Sequence, residues 1–245
     1  MRPHKRVLLL DIGNSTTESA LMILRPSGQY RFTARRRFLT SSLPVELSQF
    51  SPEVPCIVSS VVPHSDTQIR TYFKKTTFIN YKSVAPWLRI LLPRPAQIGA
   101  DRLMTALAAS QLYGKPCLIV DSGTATTFCL VNVQGGYEGG NIVPGLGISS
   151  KALADYTAKI PLILVKKSNT LCGKSTRDAV QSGLYWGHIY QINGFIRAYR
   201  AENPGLVVVG TGKGLEVLQD QLDLDSFDGD LILKGLAILA FNAKA

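Results

Sequence analysis

One pattern occurs twice in the chain, as VLLLDIGNSTTESALMI at residues 7–23 and as CLIVDSGTATTFCLVNV at residues 117–133. In both stretches four apolar residues lead into an aspartate, a glycine-containing polar turn and a second run rich in threonine and apolar residues. This order predicts a buried strand, a tight hairpin and a returning strand. Each turn would set backbone N–H groups and small hydroxyls beside a carboxylate, the groups with which proteins hold phosphate oxygens and their cation.

Two such turns facing each other could clamp the phosphates of a nucleotide from both sides. The repeated pattern therefore predicts a nucleotide-dependent phosphotransferase. No GxGxxG sequence opens a helix, and no GxxxxGK[ST] sequence is present, so a Rossmann sheet and a P-loop are both disfavoured.

The bulk composition indicates a globular protein with room for two modest domains. The chain has 245 residues, of which 45% are hydrophobic and 18% charged, and no apolar run approaches the roughly 18 residues that span a bilayer. The basic N-terminus resembles a signal peptide, but its apolar run from Val7 to Leu10 ends at Asp11, so we expect a first core strand and a cytoplasmic protein without membrane association.

The net charge of +10 favours anionic partners in general. Its short basic clusters, at 35–37, 74–75 and 166–167, carry no interleaved aromatic residues. We expect them to be solvated faces and consider nucleic-acid binding unlikely.

The four cysteines show no CxxC pairing, and we expect apolar packing in a reducing compartment rather than a zinc site or a disulfide. The three histidines are scattered, and we expect ordinary surface or packing roles for them.

The rest of the chain predicts a duplicated α/β architecture with a cleft between its halves. The second hairpin opens at Lys115-Pro116, which gives domains of residues 1–115 and 116–245. Ser65 and Ser175 are expected to cap helices, and Gly183, Gly187 and Gly194 suggest the close approach of another helix. Further strands are predicted at 29–39, 56–62 and 76–80, and residues 206–214 are predicted as a buried strand that leads into a glycine-rich turn and a short helix. Longer helices are predicted at 65–75, 99–114, 175–205 and over the closing stretch from residue 230.

Six motifs resemble those of type III pantothenate kinases and occur in that family's order. They are DIGNST (11–16), GADR (99–102), DSGTATTF (121–128), GGNIVPGL (139–146), GKST (173–176) and DLILKGL (230–236). The resemblance implies an actin-like (ribonuclease H-like) ATPase fold of two domains. It also implies a homodimer that phosphorylates pantothenate with ATP to 4'-phosphopantothenate, the first step of coenzyme A biosynthesis, using Mg²⁺ and a monovalent cation, K⁺ or NH₄⁺.

The resemblance also implies roles for individual residues. Asp101 would be the catalytic base, Asp11 would face magnesium, and Asp121 would bind the monovalent cation. ATP would be bound by Asp11, Ile12, Gly13, Asn14, Ser15, Thr16, Thr17, Glu18 and Thr124. Pantothenate would be bound by Gly99, Ala100, Asp101, Arg102 and Thr176.

Some of these residues also have ordinary structural explanations. Asp101 lies in the first turn of a predicted helix, where the helix dipole favours an acidic residue, and we expect its pKa to be the normal value of about 3.9. Thr176 could cap a helix as well as Ser175 does. Asp11 and Asp121 end apolar strands, where a turn-forming aspartate is common, but the repetition of the pattern favours function.

Two other functions remain open at this point. A kinase scaffold that has lost turnover could serve as an accessory or regulatory protein, and Leu92 and Lys213, which replace a Tyr and a Gly usual in the family, leave room for this. A kinase for another small hydroxylated acid or sugar is the second alternative.

Overall fold

The computed structural model describes residues 5–25 and 29–242, which form two compact units. The first unit contains residues up to Gln111 together with those from Asp230 onward, and the second runs from Leu112 to Gly229. The expected division at 115/116 lies close to the first of these borders, but the closing helix α8 (Leu231–Asn242) groups with the first unit, because it packs on that unit's sheet. Residues 1–4, including His4, and 243–245 lie outside this description.

The first unit is built on a mixed sheet in which the predicted hairpin is present. Its strands are ordered β3-β2-β1-β4-β5, with β1 and β2 antiparallel and Asp11 opposite Glu18. Strands β1, β4 and β5 run parallel, so their carboxyl ends lie at one edge. The bounds are β1 Lys5–Ile12, β2 Thr16–Leu24, β3 Tyr30–Leu39, β4 Cys56–Ser60 and β5 Thr76–Phe78.

The first unit's helices include two that the sequence did not predict, α1 and α3. Helix α2 begins at Pro63 after Val62, and Ser65 is buried within its first turn, so the expectation that Ser65 caps this helix is wrong. Proline suits the first helical position because its missing N–H would be unpaired there in any case. The bounds are α1 Leu43–Leu47, α2 Pro63–Tyr72, α3 Tyr81–Val84 and α4 Ala100–Leu112, with a short strand β6 at Arg89–Ile90 and 3₁₀ turns at Thr40–Ser42 and Pro95–Gln97.

The second unit contains the second predicted hairpin, again at the centre of a mixed sheet. Strands β7 and β8 are antiparallel, β10 runs parallel to β7, and the order is β11-β10-β7-β8-β9. The strands are β7 Cys117–Ser122, β8 Ala125–Val131, β9 Gly136–Pro144, β10 Val207–Thr211 and β11 Ser226–Phe227. The helices are α5 Leu146–Tyr156, α6 Thr176–Glu202 and α7 Lys213–Glu216, with a 3₁₀ turn at Gln219–Gln221.

Helix α6 covers one face of this sheet and begins as predicted. Ser175 caps it by accepting the N–H of Asp178 at 3.1 Å, and Ile192 and Ile196 pack against strand residues in the core. A side chain at Gly183, Gly187 or Gly194 would meet no atom within 4 Å among the described residues. The sequence predicted a second helix packed closely against these glycines, and no such helix is found in the part of the chain that the structure describes.

The four cysteines are free thiols in the structure. Cys56, Cys117 and Cys129 are buried within strands, as expected, but Cys172 is exposed, so the expectation of apolar packing is wrong for this residue. No helix within residues 5–25 and 29–242 has the length and apolar character needed to cross a membrane.

Candidate functional site

The first glycine turn joins β1 to β2 and is held in place by Thr40. The N–H of Gly13 donates to the carbonyl of Thr16 at 3.1 Å, and the Thr40 hydroxyl donates to the carbonyl of Gly13 at 2.7 Å. The N–H of Thr40 donates to the carbonyl of Ser15 at 3.1 Å, while Asn14 and Ser15 are exposed at the tip. A braced turn with an exposed tip can offer polar groups to a phosphate with little reorganisation.

Asp11 lies near the end of β1, and its carboxylate is bonded to the neighbouring strand. The hydroxyl of Ser59 donates to Oδ1 of Asp11 at 2.9 Å, and the two residues are register partners in the parallel β1–β4 pair. This bond orients the Asp11 carboxylate, which has about four lone-pair sites when it is ionised. Ser59 was not predicted from the sequence, although a serine inside the apolar run CIVSSVV was a usable signal.

Three residues expected to bind ATP have restricted side chains. Ile12 and Thr17 are fully buried, so neither residue exposes surface to a ligand in this structure. Glu18 lies 3.5 Å from the guanidinium of Arg35, which also donates two hydrogen bonds to the carboxylate of Asp230. Glu18 therefore belongs to an ion-pair network beside the turn.

The GADR motif forms the entry to α4, with Gly99 just before the helix and Asp101 in its first turn. The N–H of Arg102 donates to Oδ1 of Asp101 at 2.8 Å. A side chain on Gly99 would overlap this same carboxylate oxygen and would lie 3.4 Å from Cγ1 of Val61. The Asp101 carboxylate therefore occupies the space that a side chain at position 99 would take, and a larger residue there would have to displace it.

Burial raises the pKa of Asp101 above its ordinary value of 3.8, while the N–H and the charge of Arg102 oppose this shift. The expectation of an unshifted pKa is therefore wrong, because the sequence does not reveal how far the helix entry is removed from water. A carboxylate with a raised pKa is a better proton acceptor. Such a shift, caused by burial beside a charged partner, is typical of functional sites.

The Asp11 turn and the GADR motif both border Val61, which follows β4 at the carboxyl edge of the first unit's parallel strands. The N–H of Val61 donates to the carbonyl of Ile12 at 3.1 Å, and Val61 contacts the Gly99 position as described above. A cavity of about 750 Å³ opens here, with Val61, Gly99 and Ala100 among its lining residues. Small-molecule sites commonly fall between about 300 and 1,000 Å³ and lie at the carboxyl ends of parallel strands.

The second glycine turn brings Asp121 and Thr124 together in the other unit. The N–H of Gly123 donates to the carbonyl of Ala125 at 2.9 Å, and the carbonyl of Thr124 accepts the N–H of Gly145 at 3.1 Å. Asp121 is partly buried, and Thr124 lies exposed at the tip. This turn is thus the structural counterpart of the first.

Gly212 packs against Asp121 and Ser122 at the start of this second turn. It has a positive φ of 85°, and a side chain there would lie 2.5 Å from the carbonyl oxygen of Ser122 and would overlap Oδ1 of Asp121. The carboxylate of Asp121 and the carbonyl of Ser122 therefore pack closely against Gly212, where a side chain would not fit. Lys213 follows directly and is exposed.

No group of three or more His, Cys, Asp or Glu side chains able to hold a metal occurs in residues 5–25 and 29–242. A cation at either turn would depend on one carboxylate together with carbonyl, hydroxyl, phosphate or water oxygens. Magnesium in nucleotide sites is commonly bound in this way, through one or two carboxylates and the phosphates. The single acidic residues at the two turns are therefore compatible with nucleotide-dependent cation binding.

A buried hydrogen-bond chain supports the second turn from below. The hydroxyl of Ser122 lies 2.7 Å from that of Thr126, which lies 3.0 Å from Nε2 of His188. Burial lowers the pKa of His188. His188 is therefore a packing histidine, as expected, with the added role of bracing a turn residue.

Thr176 is the first residue of α6, and its side chain is exposed. Because Ser175 caps the helix, the alternative explanation of Thr176 as the cap is wrong. Its expected contact with a substrate remains a prediction.

The chain matches known proteins over most of its length. A family model described as type III pantothenate kinase matches residues 7–198. A protein of Halalkalibacterium halodurans named type III pantothenate kinase is 32% identical over 254 residues, covering 95% of this chain and 98% of the relative.

Solved structures with low sequence identity share the fold. A Baf-family transcriptional activator from Campylobacter jejuni superposes with a TM-score of 0.65 at 18% identity, covering 96% of this chain and 98% of the other. An archaeal actin homolog superposes with a TM-score of 0.50 at 10% identity, covering 97% and 98%. The expected actin-like α/β fold is confirmed.

Proposed function

Because the chain belongs to the type III pantothenate kinase family, we propose that it transfers the γ-phosphoryl group of ATP to the terminal hydroxyl of pantothenate. The product is 4'-phosphopantothenate, and the reaction opens coenzyme A biosynthesis. The observation that carries the proposal is the family match over residues 7–198. The carboxyl-edge arrangement of the Asp11 turn and the GADR motif supports it.

The two glycine turns would bind the nucleotide. The turn from Asp11 to Glu18 would hold the phosphates through backbone N–H groups and the hydroxyls of Ser15 and Thr16, and Thr124 would contact ATP from the second turn. Asp11, oriented by Ser59, would hold Mg²⁺. The bound metal would neutralise charge on the phosphate oxygens during transfer.

Asp101 would accept the proton of the attacking hydroxyl. Phosphoryl transfer needs in-line positioning and charge neutralisation more than covalent assistance, so a carboxylate that aims the hydroxyl and takes its proton late is sufficient. Gly99 and Ala100 would line the acceptor site, Arg102 would pair with the pantothenate carboxylate, and Thr176 would also contact the substrate.

Asp121 would bind the monovalent cation. The oxygen atoms of Asp121 and Ser122 beside Gly212 support this assignment, since K⁺ and NH₄⁺ both prefer oxygen neighbours. The cation would stabilise the second turn next to the nucleotide.

We also infer a homodimer in the cytoplasm. Helix α6 carries stacked Trp186 and Tyr190 rings, and Tyr190 is 55% exposed. The glycine positions nearby have no close neighbour among the described residues, which suits packing against a second copy. Four free thiols suit a reducing compartment.

The test is product identification. The purified protein, incubated with ATP, Mg²⁺, K⁺ and pantothenate, is expected to yield ADP and 4'-phosphopantothenate in equal amounts, as measured by mass spectrometry. Replacing K⁺ with Na⁺ is expected to slow the reaction and would test the cation assignment separately. If the protein left pantothenate unchanged across a range of ATP concentrations, the proposal would be refuted and the accessory-protein alternative favoured. Turnover of another hydroxylated acid or sugar would instead favour a kinase with a different acceptor.

A further inference from the structure

Three consecutive arginines lie on β3, and Arg37 differs from the other two in its partners. The guanidinium of Arg35 pairs with the carboxylate of Asp230, and Nη1 of Arg36 lies 3.3 Å from Oε2 of Glu46. Within residues 5–25 and 29–242, Arg37 forms no ion pair. The residue is exposed, so its positive charge is accessible to a ligand.

The acidic residue opposite Arg37 is held by another arginine. Glu18 is the register partner of Arg37 in the antiparallel β2–β3 pair. The carboxylate of Glu18 lies 3.5 Å from the guanidinium of Arg35, which also donates to Asp230. The charge of Arg37 is therefore left for a partner outside this network.

Arg37 instead reaches the first glycine turn. Its Nη2 atom donates to the hydroxyl of Thr16 at 3.3 Å. Thr16 begins β2, and its carbonyl accepts the N–H of Gly13, so the same residue closes the turn. The guanidinium therefore lies at the edge of the turn that is proposed to bind the nucleotide phosphates.

The contact with Thr16 leaves both side chains able to donate to an anion. A guanidinium has five N–H donors, and a hydroxyl that accepts one hydrogen bond still has its own hydrogen to donate. Forked N–H donors match the oxygen atoms of a phosphate, and such charge-assisted bonds are roughly twice as strong as bonds between neutral groups. The other donors proposed at this turn are neutral backbone N–H groups and hydroxyls. Arg37 adds the positive charge that they lack.

We propose that Arg37 binds a phosphate oxygen of the nucleotide at the first turn, next to the hydroxyl of Thr16. This inference rests on the proposed function and adds to its nucleotide site a residue of β3 that lies outside the six motifs. The role of Arg37 is in nucleotide binding, so the affinity for pantothenate should not depend on it.

The test measures nucleotide binding directly, by calorimetry with MgADP and MgATP in the absence of pantothenate. In Arg37→Ala we expect the Kd of at least one nucleotide to rise about 10-fold at low ionic strength. This is the lower end of the range for a hydrogen bond to a charged group, because the residue is exposed. The difference from wild type should shrink as the salt concentration rises, since salt screens exposed charges. A rise confined to MgATP would place Arg37 at the γ-phosphate, and a rise for both nucleotides would place it at the α- or β-phosphate.

Arg31→Ala is the matched control, because it removes the same charge from the same strand. Arg31 is exposed and lies opposite Ile23, away from the residues of the turn. Its substitution should leave both Kd values unchanged. Arg37→Gln, which removes the charge but keeps most of the side chain, should also raise the Kd and provides the readout if Arg37→Ala fails to fold.

A double-mutant cycle separates phosphate binding from a merely structural hydrogen bond. If Arg37 and Thr16 hold the same phosphate, the losses of affinity in Arg37→Ala and Thr16→Val should be less than multiplicative in the double variant. The melting temperature without nucleotide should change little in Arg37→Ala, since its contact with Thr16 is exposed.

Wild-type affinity for both nucleotides in the Arg37 variants would overturn the inference. An equal loss of affinity in Arg31→Ala would do the same, because it would indicate a general effect of charge. Either result would leave the proposed function intact if wild type phosphorylates pantothenate. A wild type that binds both nucleotides but leaves pantothenate unchanged would refute the proposed function alone, and one that binds neither nucleotide would overturn both.

Discussion

The carboxylate of Asp101 occupies the space that a side chain on Gly99 would need. The two residues flank the start of α4, so the glycine and the aspartate of the GADR motif are coupled by packing as well as by sequence. If Asp101 is the catalytic base, as proposed, Gly99 contributes to catalysis indirectly. It leaves room for the Asp101 carboxylate at the start of α4, where Oδ1 accepts the N–H of Arg102.

Gly99→Ala should therefore displace the Asp101 carboxylate and reduce kcat. We expect a loss of about 10- to 100-fold, at or below the lower end of the range for losing a general base, with a melting temperature close to that of wild type because a carboxylate can rotate away. The control is Gly147→Ala, where a side chain would meet no described atom within 4 Å. If Gly99→Ala kept the kcat of the wild type, the packing of Gly99 against the Asp101 carboxylate would have no role in catalysis.

The pH dependence of kcat/KM should report the raised pKa of Asp101. The base must be ionised, so activity should fall as the pH drops through its pKa. Burial raises the pKa of Asp101 above 3.8. The acid limb of the kcat/KM profile should therefore lie at a higher pH than an ordinary aspartate would give. A rate that stays constant down to about pH 4, the ordinary range for aspartate, would contradict this assignment.

Asp101→Asn should stabilise the fold at neutral pH. Because the folded-state pKa is above the unfolded value, the stability that the protonated group provides is fully present below the unfolded pKa and is lost as the pH rises through the folded one. The variant should have a melting temperature equal to or above that of wild type at pH 7, and the difference should shrink on acidification. A clear fall in melting temperature at pH 7 would indicate instead that Asp101 has a structural role.

The buried His188 should make stability depend on pH in the opposite direction. Its pKa is lowered from 6.5 by burial, so below that value the unfolded chain takes up a proton that the folded chain excludes, and stability should fall as the pH drops. Urea denaturation between pH 7.5 and 5 should show this slope, and His188→Gln should flatten it. Equal slopes in both proteins would mean that His188 titrates normally in the fold.

Much of the fold follows from local patterns in the sequence. Both hairpins, α4, α6 and α8 were predicted because their apolar periodicity and their end signals agree, as at Gly114, which ends α4 with a positive φ. Helices α1 and α3 were missed because four or five residues are too few for a periodic pattern. The start of α2 was misplaced because Pro63 at the first position was a stronger signal than a serine two residues later.

The candidate site was predictable only where its groups lie close together in sequence. The aspartates of the two turns and the GADR motif could be named in advance. Ser59 and Thr40 could not, since their roles depend on hydrogen bonds to residues that are distant in sequence. The grouping of α8 with the first unit could not be predicted from local patterns either. It depends on the packing of α8 against β1, which joins residues from opposite ends of the chain.

The central claim, that Asp101 activates the acceptor hydroxyl for attack on ATP, is tested most directly by steady-state kinetics of Asp101→Asn with pantothenate. We predict that kcat falls on the order of 10²- to 10⁴-fold while the KM for ATP changes little, since the proposed nucleotide contacts are at the two glycine turns. A variant that turns over pantothenate at the wild-type rate would contradict the account.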